Sequence, residues 1–238
     1  MVSKMSGLAT RLREARAHER VRDIVGDRPI IRTQRLIAPV VRRSLTGLAY
    51  VYWSDKVGHG YTKHYERHLG RYRRSPIKLL EIGIGGYDSP TWGGASLRSW
   101  RNYFFRGEIH GLDIHEKRIN ERRIHIHRGD QSDQAFLQEL GAQHGPFDVI
   151  IDDGSHVNAH IRASFAALFA DHLKPGGTYV IEDMATAYDS GFGGGPPGAP
   201  GTSVELVKGL IDEVNVEPRR VTALHVYDQI AFIEKGPA

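Results

Sequence analysis

The feature that most constrains the fold is the order of two kinds of segment. From residue 77 onward, short apolar runs alternate with longer helix-like stretches. The runs fall at 77–83, 108–114, 124–128, 147–153 and 177–183, and the helix-like stretches at 94–104, 115–121, 132–143, 156–172 and 203–215. Such alternation calls for right-handed crossovers and a parallel sheet covered by helices on both faces. The end breaks the pattern. Segments 221–227 and 230–235 are separated only by Asp228-Gln229, which leaves no room for a helix, so this last pair is expected to be antiparallel. At 238 residues the chain is long enough for one such domain with a well-buried core.

The stretch Asp148-Val149-Ile150-Ile151-Asp152-Asp153-Gly154-Ser155-His156 reads as a buried strand that ends in two carboxylates, a glycine and a histidine. In open α/β sheets, ligands bind at the carboxyl ends of the strands. The next strand ends in Glu182-Asp183, and neighbouring strands would bring Asp153, Glu182 and Asp183 together. Three carboxylates at one point repel and raise one another's pKa unless a cation joins them. An all-oxygen set with open positions suits Mg²⁺. His156 is then the candidate general base, with an unperturbed pKa near 6.5. The plainer alternative is that Asp183 caps a turn and Asp153 caps the helix at 156–172. Asp152 receives no assignment.

A cofactor site is expected at the first strand's end, in Glu81-Ile82-Gly83-Ile84-Gly85-Gly86. Gly83 and Gly85 let the backbone come close to a ligand. Asp113, ending the second strand, can accept two ribose hydroxyls, and Asp130-Gln131, ending the third, can read an adenine edge. Ser54 or Lys56, in the polar segment that runs to Tyr61, can hold a cofactor carboxylate. These residues favour S-adenosylmethionine over a dinucleotide. Asp88 stands where a dinucleotide motif needs its third glycine, and a carboxylate there would repel pyrophosphate. An NAD-type dehydrogenase is the competing enzyme reading.

With those residues in view, 50–238 resembles the sugar O-methyltransferases of actinobacterial natural-product biosynthesis, of the mycinamicin type. The likeness rests on Ser54-Asp55-Lys56 with His59-Gly60-Tyr61, on Leu80-Glu81-Ile82-Gly83-Ile84-Gly85-Gly86-Tyr87, on Ile151-Asp152-Asp153-Gly154-Ser155-His156 and on Ile181-Glu182-Asp183. It implies a Rossmann-like class I methyltransferase fold, α/β, with a seven-stranded, mostly parallel sheet and a C-terminal antiparallel hairpin. It implies S-adenosylmethionine and Mg²⁺ as cofactors, Asp153, Glu182 and Asp183 as metal ligands and His156 as base. Ser54, Lys56 and Tyr61 join Glu81, Gly83, Gly85, Asp113, Asp130 and Gln131 on the cofactor side. Macrolide members of the family carry a large extra N-terminal domain, whereas about fifty residues precede the domain here. That size is similar to a compact mycobacterial relative, the 1-O-methyltransferase of methylmannose polysaccharide synthesis, so the expected acceptor is a methylated mannoside. A deoxysugar on a macrolide or other glycosylated product is the alternative.

The expected organisation is a helical extension, 1–52, before a methyltransferase domain, 53–238. Helical patterns run over 8–25 and 35–52. In the second, Leu36, Ile37, Val40, Val41, Leu45, Leu48, Ala49 and Tyr52 share helical spacing, which suits packing on the body or on a second copy. A homodimer through these helices is expected. Residues 1–45 carry ten Arg and one Lys against two Glu and two Asp, a local charge of +7 that leaves the remainder at −3. A basic arm of this kind can serve a non-catalytic interaction protein. An acidic body argues against nucleic acid as substrate. There are no cysteines, no apolar run of membrane-spanning length and no signal-peptide pattern, so a cytoplasmic protein without stable membrane insertion is expected.

Overall fold

The computed structural model describes residues 27–237. The helical pattern at 8–25 and most of the basic arm lie outside them. Seven strands form one sheet in the order β3-β2-β1-β4-β5-β7-β6. They are β1 (Lys78–Ile82), β2 (Glu108–Asp113), β3 (Ile124–Arg128), β4 (Phe147–Asp152), β5 (Leu173–Ile181), β6 (Val221–Tyr227) and β7 (Ile230–Lys235). The first five are mutually parallel, and β7 runs antiparallel to both β5 and β6. The expected class I methyltransferase sheet, hairpin included, is what the chain forms.

Among the described residues, seven α-helices flank the sheet: α1 (Asp27–Val41), α2 (Leu45–Tyr52), α3 (Thr62–Leu69), α4 (Ala95–Tyr103), α5 (Gln134–His144), α6 (Asn158–His172) and α7 (Ser203–Asn215). Strand side chains alternate between faces. Leu79, Val149, Ile151 and Val180 therefore point to one layer, where Leu45, Leu48, Tyr65, Leu69 and Trp100 from α2, α3 and α4 cover them. Leu80, Ile82, Ile150, Tyr179 and Ile181 point to the other, beneath Leu137, Ile161, Phe165, Leu168 and Leu210 of the last three helices.

Three local expectations change. The pattern at 35–52 is two helices, because Ser44 caps α2 by accepting from the Gly47 N–H. Glu66 of α3 then takes the Leu45 and Thr46 N–H groups, placing a carboxylate at that helix N-terminus. Leu45, Leu48 and Tyr52 enter the core, while Leu36 and Val40 of α1 stay exposed. Segment 115–121 is not helical, since its groups pair elsewhere: His115 N with Asp113 Oδ1, and Arg118 N with Pro90 O. Lys117 Nζ also reaches the Tyr87 and Ser89 carbonyls. The helix at α3 was not anticipated, because only Thr62, Tyr65, His68 and Leu69 of its eight residues are buried.

Candidate active site

The alternation that builds the core also builds the site. Glu81 shares the face of Leu79, Asp153 that of Ile151 and Glu182 that of Val180, so three neighbouring strands aim carboxylates into one layer at their carboxyl ends. The strands meet closely there. The Glu182 N–H donates to Asp152 O and the Asp153 N–H to Ile82 O. Gly83 has φ +93°, and a Cβ on it would run into the Asp153 carbonyl. Only glycine allows the β1 and β4 ends to approach this way.

Lys56 enters from the helical layer, in a 3₁₀ turn at Asp55–Val57. Its Nζ donates to Asp153 Oδ2 at 2.7 Å and to Glu182 Oε1 at 2.6 Å, and stands 3.3 Å from Glu81 Oε1. Burial alone would lower the ammonium pKa, but Asp153, Glu182 and Glu81 together raise it well above its ordinary value. The Lys56 charge is thus fixed. Burial pushes the Glu182 carboxyl up to about 7, against the pull of Lys56. Burial and the nearby Glu182 also raise Asp153 well above the usual carboxylate range. Tyr65, fully buried, donates to the same Glu182 Oε1. Sequence reading missed Tyr65. It lies four residues after Tyr61, a helical spacing that a polar segment disguised.

Asp183 forms the outer part of the site. Tyr61 donates to its Oδ1 at 2.7 Å, His59 Nδ1 lies 3.5 Å from that oxygen, and His156 Nε2 lies 3.7 Å from Oδ2. Burial and Asp183 raise the Tyr61 phenol, which keeps it a donor. Asp183 (φ 52°) and His156 (φ 58°) both adopt the left-handed conformation that non-glycine residues seldom take. One ligand atom each from Asp153, His156 and Asp183 fall within 4.8 Å of one another.

The remaining predicted residues surround this centre. Asp113 Oδ2 accepts from the Ile84 N–H of the glycine turn, and Asp130 closes a turn through Ser132. Gln131 is buried, donates to Asp152 Oδ1 and accepts from the Ser155 N–H. Glu81 accepts from Ser96 at 2.7 Å. Gly85 has φ +72° with open space beside it. Ser54 is buried with an Oγ that has no protein partner, a polar atom in want of a ligand. Asp152 lies on the opposite sheet face, bonded by Gln131, Ser164 and Tyr179.

The chain is 50% identical over 210 residues to mycinamicin VI 2''-O-methyltransferase of Micromonospora griseorubida, a match covering 81% of this chain and 52% of the relative. Over four-fifths of its length the chain is thus similar to the mycinamicin-type sugar O-methyltransferases. It is also 42% identical over 220 residues to 8-demethyl-8-alpha-L-rhamnosyl tetracenomycin-C 2'-O-methyltransferase of Streptomyces olivaceus, covering 85% of this chain and 58% of that protein. Among solved structures, MycE methyltransferase from the mycinamycin biosynthetic pathway, in complex with Mg, SAH and mycinamycin VI, superposes with a TM-score of 0.79 at 51% identity. That likeness covers 82% of this chain and 55% of MycE. The chain spans about half the length of the curated relatives it matches. No family model matches it.

Proposed function

We propose that this chain carries the catalytic centre of an S-adenosylmethionine- and Mg²⁺-dependent O-methyltransferase whose acceptor is a hydroxyl of a sugar on a glycosylated polyketide, macrolides included. The observation that carries the reading is the convergence of Asp153, His156 and Asp183 at the carboxyl ends of β4 and β5. The donor set fits a hard cation: carboxylate oxygens dominate, and Asp153 and Asp183 are 21% and 19% exposed, open to an incoming ligand. Asp153, Glu182 and Asp183 would hold the ion. When bound, Mg²⁺ lowers the pKa of a hydroxyl it touches and fixes its direction.

The chain's own residues supply the rest. His156, 24% exposed, accepts the acceptor's proton at Nε2, steadied by Asp183. S-adenosylmethionine, when bound, would supply the methyl group to the acceptor oxygen, giving S-adenosylhomocysteine, a methyl ether and a protonated imidazole. Gly83, Gly85, Glu81, Asp113, Asp130 and Gln131 edge the cofactor side, with Ser54 and Tyr61 beside it. The single charge of Lys56 offsets part of the negative charge of Glu81, Asp153 and Glu182, so an ion held by the site would meet less mutual repulsion among its ligands.

The relatives' names favour the second of the two expected acceptors, a sugar on a polyketide, over a methylmannoside. The proposed organisation is the extension 1–52 and the domain 53–238. Exposed Leu36, Ile37 and Val40 on α1 support pairing of two copies through it. Among the described residues, no helix is long and apolar enough to cross a membrane. The test is mass spectrometry with a deuterated-methyl cofactor, on rhamnosylated polyketides, deoxysugar macrolides and mannosides. Label should appear on a sugar of the first two groups and vanish with chelator. Label on mannosides alone would reverse the choice of acceptor, and full transfer in chelator would remove the metal.

A further inference from the structure

A second cluster of ligating side chains lies away from the carboxylates, on the other face of the sheet. His110 of β2 and His127 of β3 stand side by side, with Nδ1 and Nε2 3.0 Å apart and rings parallel within 6°. His144, the last residue of α5, brings its ring centroid to 4.5 Å from that of His127 and 5.5 Å from that of His110. One nitrogen from each of the three falls within 4.8 Å of the others. A tetrahedral ion with bonds of about 2.0–2.1 Å holds its nitrogens roughly 3.3 Å apart, so little contraction is needed.

The surroundings suit a cation bound by neutral imidazoles. Burial, reinforced by the neighbouring histidines, pushes His110 down to about 3 and His127 down to about 4. The His110 and His127 nitrogens share one hydrogen bond, and an ion taking both would displace the proton between them. Of the adjacent charges, Arg128 and Glu139 line the cavity beside the cluster, while Lys78 and Glu108 have partners of their own. Lys78 donates to the His144 and Gly145 carbonyls, and Glu108 takes His125 Nε2 at 2.8 Å. An open cavity of about 340 Å³, lined by His127, His144, Phe136, Glu139 and Gln143, leads to the cluster. The trio of His68, His225 and Glu234 is less apt, because Tyr227 already bonds His68 Nε2 at 2.9 Å and Arg71 lies 3.4 Å from Glu234.

We propose that His110, His127 and His144 form a second metal site, for a borderline divalent ion of the Zn²⁺ class, with solvent from the cavity completing the coordination. Imidazole selects such ions over Mg²⁺, which takes oxygen ligands. The site is separate from catalysis and ties β2, β3 and α5 together.

The test is calorimetric titration of tag-free protein with Zn²⁺ in saturating Mg²⁺, which occupies oxygen sites and leaves imidazoles free. One equivalent should bind and raise the melting temperature. His144→Ala and the milder His144→Gln should each weaken binding more than about tenfold, the loss seen when even an outer partner of a metal ligand is removed. His225→Ala, and Asp153→Asn with Asp183→Asn, should leave binding unchanged. No binding by the wild type, unchanged affinity in both His144 variants, or loss in either of the other two would overturn the assignment.

Discussion

Replacing Lys56 with Met leaves Glu81, Asp153 and Glu182 without the cation they share. Deleting one member of a buried ion pair costs about 3–5 kcal/mol, mostly as the penalty on the charge left behind. Here two carboxylates bond Lys56 at 2.7 and 2.6 Å and the third lies at 3.3 Å, which points to the upper half of that range. Asp153 is 21% exposed and draws on water, which brings the expectation back to about 4 kcal/mol at pH 8. The pH dependence has a definite sign. Glu182 sits at about 7 in the fold, above an unfolded value near 4.3, so the native state holds its proton longer. Stability tied to that carboxyl is complete below the unfolded value and is lost as pH rises through about 7. Without Lys56 the native value climbs further and the loss steepens, so the deficit should narrow to about 1–2 kcal/mol at pH 5. Urea unfolding of both proteins at pH 5 and pH 8, in chelator, measures it. A deficit at pH 8 under about 1 kcal/mol, or one equal at both pH values, would refute the reasoning.

Two further changes probe other parts of the molecule. His156→Ala should keep cofactor affinity while turnover falls about 10²–10⁴-fold, whereas Asp183→Asn should keep the left-handed turn and raise the Mg²⁺ concentration needed for half-maximal rate. Normal turnover in the first, or an unchanged Mg²⁺ requirement in the second, counts against those roles. His110 is held neutral in the fold, so stability should fall as pH drops from about 6.5 toward 4, by about 2 kcal/mol at pH 5 for this one ring. Metal-free wild type compared with His110→Gln by urea unfolding at pH 7 and 5 reads that difference, which should shrink at the lower pH.

The succession of strands along the chain and the strand-end carboxylates are legible because both rest on short-range pattern. Apolar runs of five to seven residues marked β1, β2, β4 and β5, and a carboxylate at or near the end of each could be counted directly. What the pattern hid came from segments whose burial is partial. In α3, Tyr65 reaches Glu182 from a helix with four exposed or half-exposed positions, so no apolar stripe announced it. Lys56 is harder still. A lysine in a polar segment reads as a cofactor clamp, and only the closeness of three strand ends shows it among carboxylates 25, 97 and 126 positions away in sequence. Segment 115–121 has a helical composition, yet its partners include the Tyr87, Ser89 and Pro90 carbonyls of the loop after the glycine turn. Tertiary hydrogen bonds override so weak a propensity.

Asp152 shows how one residue's shift along a strand divides support from chemistry. Its side chain follows Ile150 to the face covered by α6, where Ser164, Tyr179 and Gln131 bond it, while Asp153 follows Ile151 to Lys56. Burial raises the Asp152 carboxyl above its ordinary value, and the Ser164 and Gln131 bonds pull against that rise. Gln131, held by Asp152, accepts from the Ser155 N–H, and a Cβ at Gly154 would collide with its amide oxygen. The network therefore clamps the turn 153–156 from below. That turn places Asp153 and left-handed His156 on either side of Gly154-Ser155, and a left-handed residue costs about 1–2 kcal/mol unless its surroundings fix it. The buried Asp152 network thus supports the turn that keeps His156, the proposed general base, in its left-handed conformation facing Asp183.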